Sequence, residues 1–232
     1  MTAAAIKILS THAAMDVLGE LGPKFERATG HRLAYSYDPA KAVRRRIENG
    51  EAFDIAIVTR PVFDILAAAG KLAPDSRADI GRSGLGVSVR KGAAKPDIGT
   101  ADAFKRALLE AKSVVRSTEG TSGMYFETLL DRLGIARAMH GKIVLGPSGR
   151  VAELVARGEA ELAVQQIAEL LPVAGTDYVG PFPPDLQLYS VFSAAVAAAS
   201  RQREACIAFI DTLITPAAAA LFKATGLEPV PR

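Results

Sequence analysis

Apolar positions along the chain alternate between short continuous runs and helical spacing. Ala5–Leu9 is a compact apolar run, and over Ala13–Ala28 the residues Val17, Leu18, Leu21 and Phe25 share one helical face. This pattern predicts a strand followed by an amphipathic helix. Thr29-Gly30 closes that helix, and Arg32–Tyr37 is a second strand. Asp38-Pro39 then predicts a helix start, with Asp38 as N-cap and Pro39 at the first helical position. Gly50 ends this helix. Phe53–Thr59 (FDIAIVT) is apolar enough for a buried third strand, and Pro61–Ala69 is a short helix closed by Gly70. Strands and helices in this order imply parallel strands joined by right-handed crossovers.

Gly84–Arg90 (GLGVSVR) is a long strand between glycines, after which a second α/β series begins. Helices are expected over Ala101–Glu110, Ser122–Leu133, Arg150–Ala156 and Ile167–Leu171, and strands over Ser113–Ser117, Lys142–Leu145 and Leu162–Gln165. Leu188–Ala197 is a second long strand. Arg201–Ile214 and Pro216–Ala224 are helices separated by the breaker Thr215-Pro216. The chain therefore holds two α/β halves with crossovers near residues 80–90 and 185–195, and its last helices return to the first half.

Composition narrows the function classes. In 232 residues there are 28 Lys+Arg against 25 Asp+Glu, a net charge of +3 too small and dispersed for nucleic-acid binding. Trp is absent and aromatics are 6%, which argues against a stacking platform for single strands. One cysteine, Cys206, excludes an internal disulfide framework, and no Cys/His cluster suggests a metal. Its apolar neighbours Ile207, Phe209 and Ile210 assign Cys206 to packing. No apolar stretch approaches the ~20 residues of a membrane span. P-loop, dinucleotide, HExxH and EF-hand signatures are absent, so no cofactor is expected.

Four strand-to-helix junctions carry small or polar residues: Ser10-Thr11-His12, Asp38 to Lys41, Ser117 to Gly123 (STEGTSG) and Gly146 to Arg150 (GPSGR). Ligands of open α/β sheets bind at such junctions. Free N–H groups and the macrodipole make a helix start attractive to anions. Several starts meeting in one cleft would clamp an anion without a metal. In STEGTSG the glycines allow close backbone approach while Ser117, Thr121 and Ser122 offer hydroxyls; the plainer alternative is a loop with Thr121 or Ser122 as N-cap. Arg116, just before it, is assigned to solvent. Arg150, expected in a helix's first turn, conflicts with the dipole unless an anion is present. Lys41 has the same conflict, whereas Arg44, Arg45 and Arg46 suit a solvated helix face, with Arg44 or Arg45 pairing with Glu48 or Glu51. His12 is either a polar loop residue or a donor and proton shuttle. Gln165-Gln166 offer amides at a strand end, for a ligand or for capping the next helix.

The segments ILSTHAAMDVLGELGPKFERATG, AVRRRIENGEAFDIAIVTR, TEGTSGMYFETLLDRLGI and ITPAAAALFKATGLEP resemble the molybdate-binding type of periplasmic solute-binding proteins almost end to end. The most specific pieces are IExGxxxDIxI (Ile47–Ile57), the stretch from Gly120, and Pro216–Leu227. The resemblance implies the α/β type II periplasmic-binding-protein fold, two Rossmann-like lobes joined by two crossing strands. It places lobe 1 at 1–82 plus 190–232 and lobe 2 at 83–189, with the ligand cleft between them. It also implies a monomer, an ABC-transporter permease as partner, and the periplasm. Met1–Ser10 lacks the make-up of a secretory peptide, so a complete sequence would instead be cytoplasmic.

Where molybdate binders of this type present two serines and a late tyrosine, this chain carries Ala13, Lys41 and Gln166. A hydroxyl cradle has gained a cation, which suits a carboxylate better than molybdate. The expected site comprises Ser10, Thr11, His12, Ala13, Lys41, Ser117, Thr121, Ser122, Gly123, Arg150, Val151 and Gln166. The favoured function is capture of a small organic anion. The alternative, drawn from the aconitate isomerases that resemble this family, is a cofactor-free isomerase with Lys41 or His12 as acid/base. A non-catalytic anion sensor is a third reading.

Overall fold

A computed structural model describes residues 5–147 and 149–230. The chain divides into two compact units, 1–82 with 190–232, and 83–189.

Unit 1 is built on a five-stranded sheet in the order β2-β1-β3-β10-β4. Its elements are β1 (Ile6–Ser10), α1 (Met15–Thr29), β2 (Leu33–Tyr37), α2 (Ala40–Glu48), β3 (Ile55–Thr59), α3 (Arg60–Ala68) and β4 (Ala78–Ser83). β1 lies parallel between β2 and β3, pairing Ser10 with Tyr37 and with Ile57. All three strands therefore end on one edge, and each feeds a helix from it. β10 (Ser190–Val196) returns to this sheet antiparallel to β3, followed by α9 (Arg203–Leu213) and α10 (Pro216–Ala224). Phe25 of α1 meets Phe209 of α9 nearly edge-on at 5.1 Å. Cys206 is fully buried, and burial pushes its thiol pKa up.

Unit 2 contains β5 (Leu85–Arg90), α4 (Ala101–Glu110), β6 (Val114–Ser117), α5 (Thr121–Arg132), α6 (Ala136–Met139), β7 (Ile143–Gly146), α7 (Ala152–Ala156), β8 (Leu162–Gln166), α8 (Ile167–Leu170) and β9 (Thr176–Pro181). The sheet order is β7-β6-β8-β5-β9, with β6, β7 and β8 parallel and β5 antiparallel to β8 and β9. Alternation along β6 splits the core. Val114 packs with Phe104, Phe126 and Phe182 on one face, and Val115 with Val151, Ala152 and Val155 on the other. Phe182 is the hub of the first cluster, 4.6 Å from Phe104 and 6.4 Å from Phe126.

Several local expectations change. His12–Ala14 is a 3-10 turn, and α1 starts only at Met15. Asp38 is not an N-cap: Pro39 holds that position, and the Asp38 carboxylate is taken by Arg46, which folds back to Asp38 and Ser36. Arg46 also pairs with Glu51, and Arg44 pairs with Glu48 at 2.7 Å. The N-cap of α5 is Gly120, so Thr121 and Ser122 lie inside the helix. α7 begins at Ala152, which puts Arg150 ahead of the helix and removes its conflict with the dipole. β4 and β9 were not expected. β9 pairs antiparallel with β5 and β4 lies beside β10, and their residues (ADIGRS and TDYVGP) show no continuous apolar run.

Candidate anion-binding site

In unit 1 the carboxyl ends of β1, β2 and β3 bring the expected residues to one edge. The Ser10 hydroxyl is used locally, donating to the Thr11 carbonyl at 3.0 Å. The Thr11 N–H donates to the Ile57 carbonyl at 2.9 Å, stitching the β1 exit to β3. The Thr11 hydroxyl is buried and has no hydrogen-bond partner among the described residues. His12 is half-buried, with its ring 6.3 Å from that of Tyr37, which stacks on Tyr35 at 6.0 Å. Burial and then the Asp16 charge push the Tyr37 pKa up to about 12, so the phenol stays protonated. Ala13 is a core residue at 3% exposure, and its methyl group belongs to packing. Lys41 is the second residue of α2, exposed and without an ion pair among the described residues.

Sequence reasoning missed the third exit of this edge. Thr59 is the N-cap of α3 and is buried; Arg60 is its first residue, paired with Asp64 at 3.1 Å and Asp79 at 3.2 Å. A Thr-Arg pair between an apolar strand and a Pro-initiated helix was the available signal. An open cavity of about 880 Å³ lies at the amino ends of β1 and β3, lined by Lys7, Phe53, Asp54 and Lys71. There the Asp54 carboxylate is already engaged, accepting from the Lys7 N–H at 2.9 Å and the Ser200 hydroxyl at 2.6 Å.

In unit 2 the first turn of α5 sits directly on the end of β6. A Cβ at Gly123 would lie 1.9 Å from the Ser117 carbonyl oxygen, and one at Gly120 would lie 2.3 Å from Ser117 Oγ. Only glycine permits this seat. Ser117 and Ser122 are buried beside it, Thr121 is exposed, and Ser117 Oγ has no hydrogen-bond partner among the described residues. Arg116 is not solvated, as the sequence suggested. It is 9% exposed, donating to the Ser117 carbonyl at 3.1 Å and to Glu127 of α5 at 3.0 Å. The guanidinium thus ties the strand end to the helix that starts there. Thr118 links this loop to the β7 exit, its hydroxyl donating to the Gly146 carbonyl at 2.9 Å.

Gln165 organises the β8 exit. Its amide accepts from the Val151 N–H at 3.1 Å and donates to the Gly149 carbonyl at 2.7 Å, clasping the loop that carries Arg150. The Val151 N–H, expected to face a ligand, is therefore taken by Gln165. Gln166 is the buried N-cap of α8. Ser148 of GPSGR lies outside the described residues. Glu169, unnoticed in the sequence, hydrogen-bonds Gln165 and feels the charge of Arg150, yet burial outweighs both and raises its pKa to about 7.

The buried hydroxyls of Thr11 and Ser117 allow a direct test. An unpaired buried hydroxyl stabilises nothing, so Thr11→Val and Ser117→Ala are expected to leave unfolding free energy unchanged or higher. If the hydroxyls serve an anion, affinity falls about tenfold, the value of one charge-assisted hydrogen bond. Isothermal titration beside chemical denaturation separates the two effects, and unchanged affinity in both variants removes these hydroxyls from the site.

This wiring, with helices starting from the parallel ends of mixed sheets, defines a type II periplasmic solute-binding fold. The profile of the bacterial extracellular solute-binding protein family matches residues 6–228, and the chain belongs to that family. An aconitate isomerase from a Pseudomonas species is 36% identical over 97% of this chain and 88% of its own length. Among solved structures, the periplasmic molybdate-binding protein of Azotobacter vinelandii superposes with a TM-score of 0.81 at 22% identity, covering 98% of this chain and all of the other. The sulfate-binding protein of Mycobacterium tuberculosis gives 0.77 at 18% identity, covering 98% of this chain and 88% of the other. At these identities the two structures speak for the fold alone.

Proposed function

We propose that the protein binds a small polycarboxylate of the aconitate class and moves its double bond by proton transfer. The observation that carries this reading is the end-to-end similarity to an aconitate isomerase at 36% identity. The donor sets of the two units support it. Unit 1 offers the exposed cation of Lys41 in the first turn of α2, and unit 2 offers the first turn of α5 and the Arg150 loop. Ammonium and guanidinium groups match carboxylates with charge-assisted hydrogen bonds.

The reaction needs a base that takes a proton from the methylene carbon beside the double bond. The allylic anion is stabilised through the adjoining carboxylates, and the proton returns to the former vinyl carbon. Cations and helix starts held against those carboxylates favour the charge that develops. His12 and Lys41 are the acid/base candidates.

Capture without turnover, delivering the anion to a permease, is the second reading, and membership of the solute-binding protein family favours it. Incubation with trans-aconitate, followed by proton NMR, is expected to show the cis isomer accumulating to equilibrium. Tight binding with no turnover leaves capture as the function. In a thermal-shift panel of oxyanions and carboxylates, a ligand at a hundred times Kd adds about 2.7 kcal/mol of apparent stability. The largest shift is expected from a tricarboxylate; molybdate or tungstate in first place overturns the carboxylate reading.

A further inference from the structure

The β3 exit of unit 1 holds donors that neither packing nor helix capping accounts for. Thr59 is the N-cap of α3 and is only 7% exposed. An N-cap threonine ordinarily accepts from an N–H of the first helical turn. The Thr59 hydroxyl does not, and it makes no hydrogen bond among the described residues. The adjacent strand ends in the same way. The Thr11 hydroxyl is buried and unpartnered among the described residues, and the Thr11 N–H donates to the Ile57 carbonyl, two residues before Thr59. Idle hydroxyls thus stand on the ends of both β1 and β3, which pair in parallel.

Arg60 follows Thr59 as the first residue of α3, and its guanidinium is held from two sides. Nε donates to Asp64 Oδ1 at 3.1 Å, one turn along the helix, and Nη1 to Asp79 Oδ2 at 3.2 Å. Asp79 is itself fixed: it accepts from the Ser193 hydroxyl of β10 at 2.6 Å and lies 3.6 Å from Arg77, whose guanidinium rests over the Phe63 ring. Nη2 keeps both N–H groups, with no hydrogen bond among the described residues. Nε and Nη2 form an edge on which a guanidinium grips a carboxylate bidentately, and Asp64 bonds only to Nε there. The Asp64 side chain is 57% exposed against 23% for Asp79, so its hold is the weaker. An arriving carboxylate can replace Asp64 on that edge while Asp79 keeps the guanidinium in place.

We infer that Thr59 and Arg60 form a carboxylate subsite of unit 1, and that Arg60 sets a preference for tricarboxylates over dicarboxylates. The inference rests on the polycarboxylate reading and adds a specificity-determining pair to it. Lys41 supplies this edge with one cation and Arg60 with a second, so that two carboxylates can each meet a positive charge.

The probes are trans-aconitate and three dicarboxylates that each lack one of its carboxylates: itaconate, mesaconate and glutaconate. Affinities are measured calorimetrically for the wild type, Arg60→Gln and Thr59→Val, beside urea denaturation. Trans-aconitate affinity is expected to fall tenfold or more in Arg60→Gln and about tenfold in Thr59→Val. The dicarboxylate without the group that Arg60 holds is expected to bind the wild type and Arg60→Gln equally. That variant therefore loses the wild-type preference for trans-aconitate over this one compound, whereas a merely structural role weakens all four ligands by a common factor. Thr59→Val keeps the side chain's shape and is expected to unfold at the wild-type urea concentration, which separates binding from folding. A common factor for all four ligands in Arg60→Gln, or unchanged trans-aconitate affinity in either variant, overturns the inference while leaving polycarboxylate binding intact. Failure of the wild type to bind any of the four overturns the polycarboxylate reading as well.

Discussion

Gly123→Ala is expected to lift the first turn of α5 off the end of β6, lowering stability by about 3 kcal/mol and weakening anion binding together. The cause is backbone against backbone. The added Cβ would lie 1.9 Å from the Ser117 carbonyl oxygen, an atom that cannot rotate away and is also gripped by Arg116. Relief requires moving the helix or the strand end, and both belong to the same edge. Gly19 is the control, since a Cβ there meets nothing within 4 Å. Gly19→Ala, inside α1, is expected to stabilise the protein by about 0.5–1 kcal/mol through helix propensity. Urea denaturation with unchanged slopes, beside trans-aconitate titration, checks both. A Gly123→Ala protein as stable and as tight-binding as the wild type would show that the loop relaxes freely and is no part of a rigid anion seat.

Glu169→Gln should reveal a stability difference that grows with pH even without ligand. The folded carboxyl has a pKa of about 7, against 4.5 for the unperturbed group, with burial as the leading cause. Between those values the folded protein holds more protons than the unfolded chain, so stability falls as pH rises, and the loss is complete above the folded pKa. A gap of 2.5 units bounds the effect at about 3 kcal/mol, less for a half-buried group that solvent partly reaches. The variant carries no such penalty. Its stability is expected to equal that of the wild type near pH 4.5 and to exceed it by about 2 kcal/mol at pH 8. Denaturation curves at the two pH values decide the matter, and a constant difference would mean that folding leaves the Glu169 pKa unchanged.

Much of the architecture was legible because its signals are local. Ala101–Glu110 and Pro216–Ala224 form helices with the expected limits, and the run ending at Thr59 forms β3. Periodicity, a Thr N-cap and a proline in the first turn act over a few residues, and nothing distant contradicts them. β4 and β9 were illegible for the opposite reason. Little in ADIGRS or TDYVGP favours a strand until a neighbouring strand supplies hydrogen bonds. Proline beside Asp38 was a sound cue for a helix start but not for its cap, since Arg46, eight residues on, claims the carboxylate.

The candidate site divides in the same way. The sequence alone determined that small, hydroxylic and glycine residues gather where strands hand over to helices, because chain order and α/β periodicity place those junctions on one edge of each sheet. Only the tertiary structure decided which atoms are committed there. It buried Arg116 against the Ser117 carbonyl, assigned the Val151 N–H to Gln165, put the Ala13 methyl in the core, and raised the Glu169 pKa by burial. Hydrogen-bond partners, desolvation and charge pairing come from groups brought together across the chain. A linear pattern specifies where a junction falls; the packed neighbours specify which of its donors are already used.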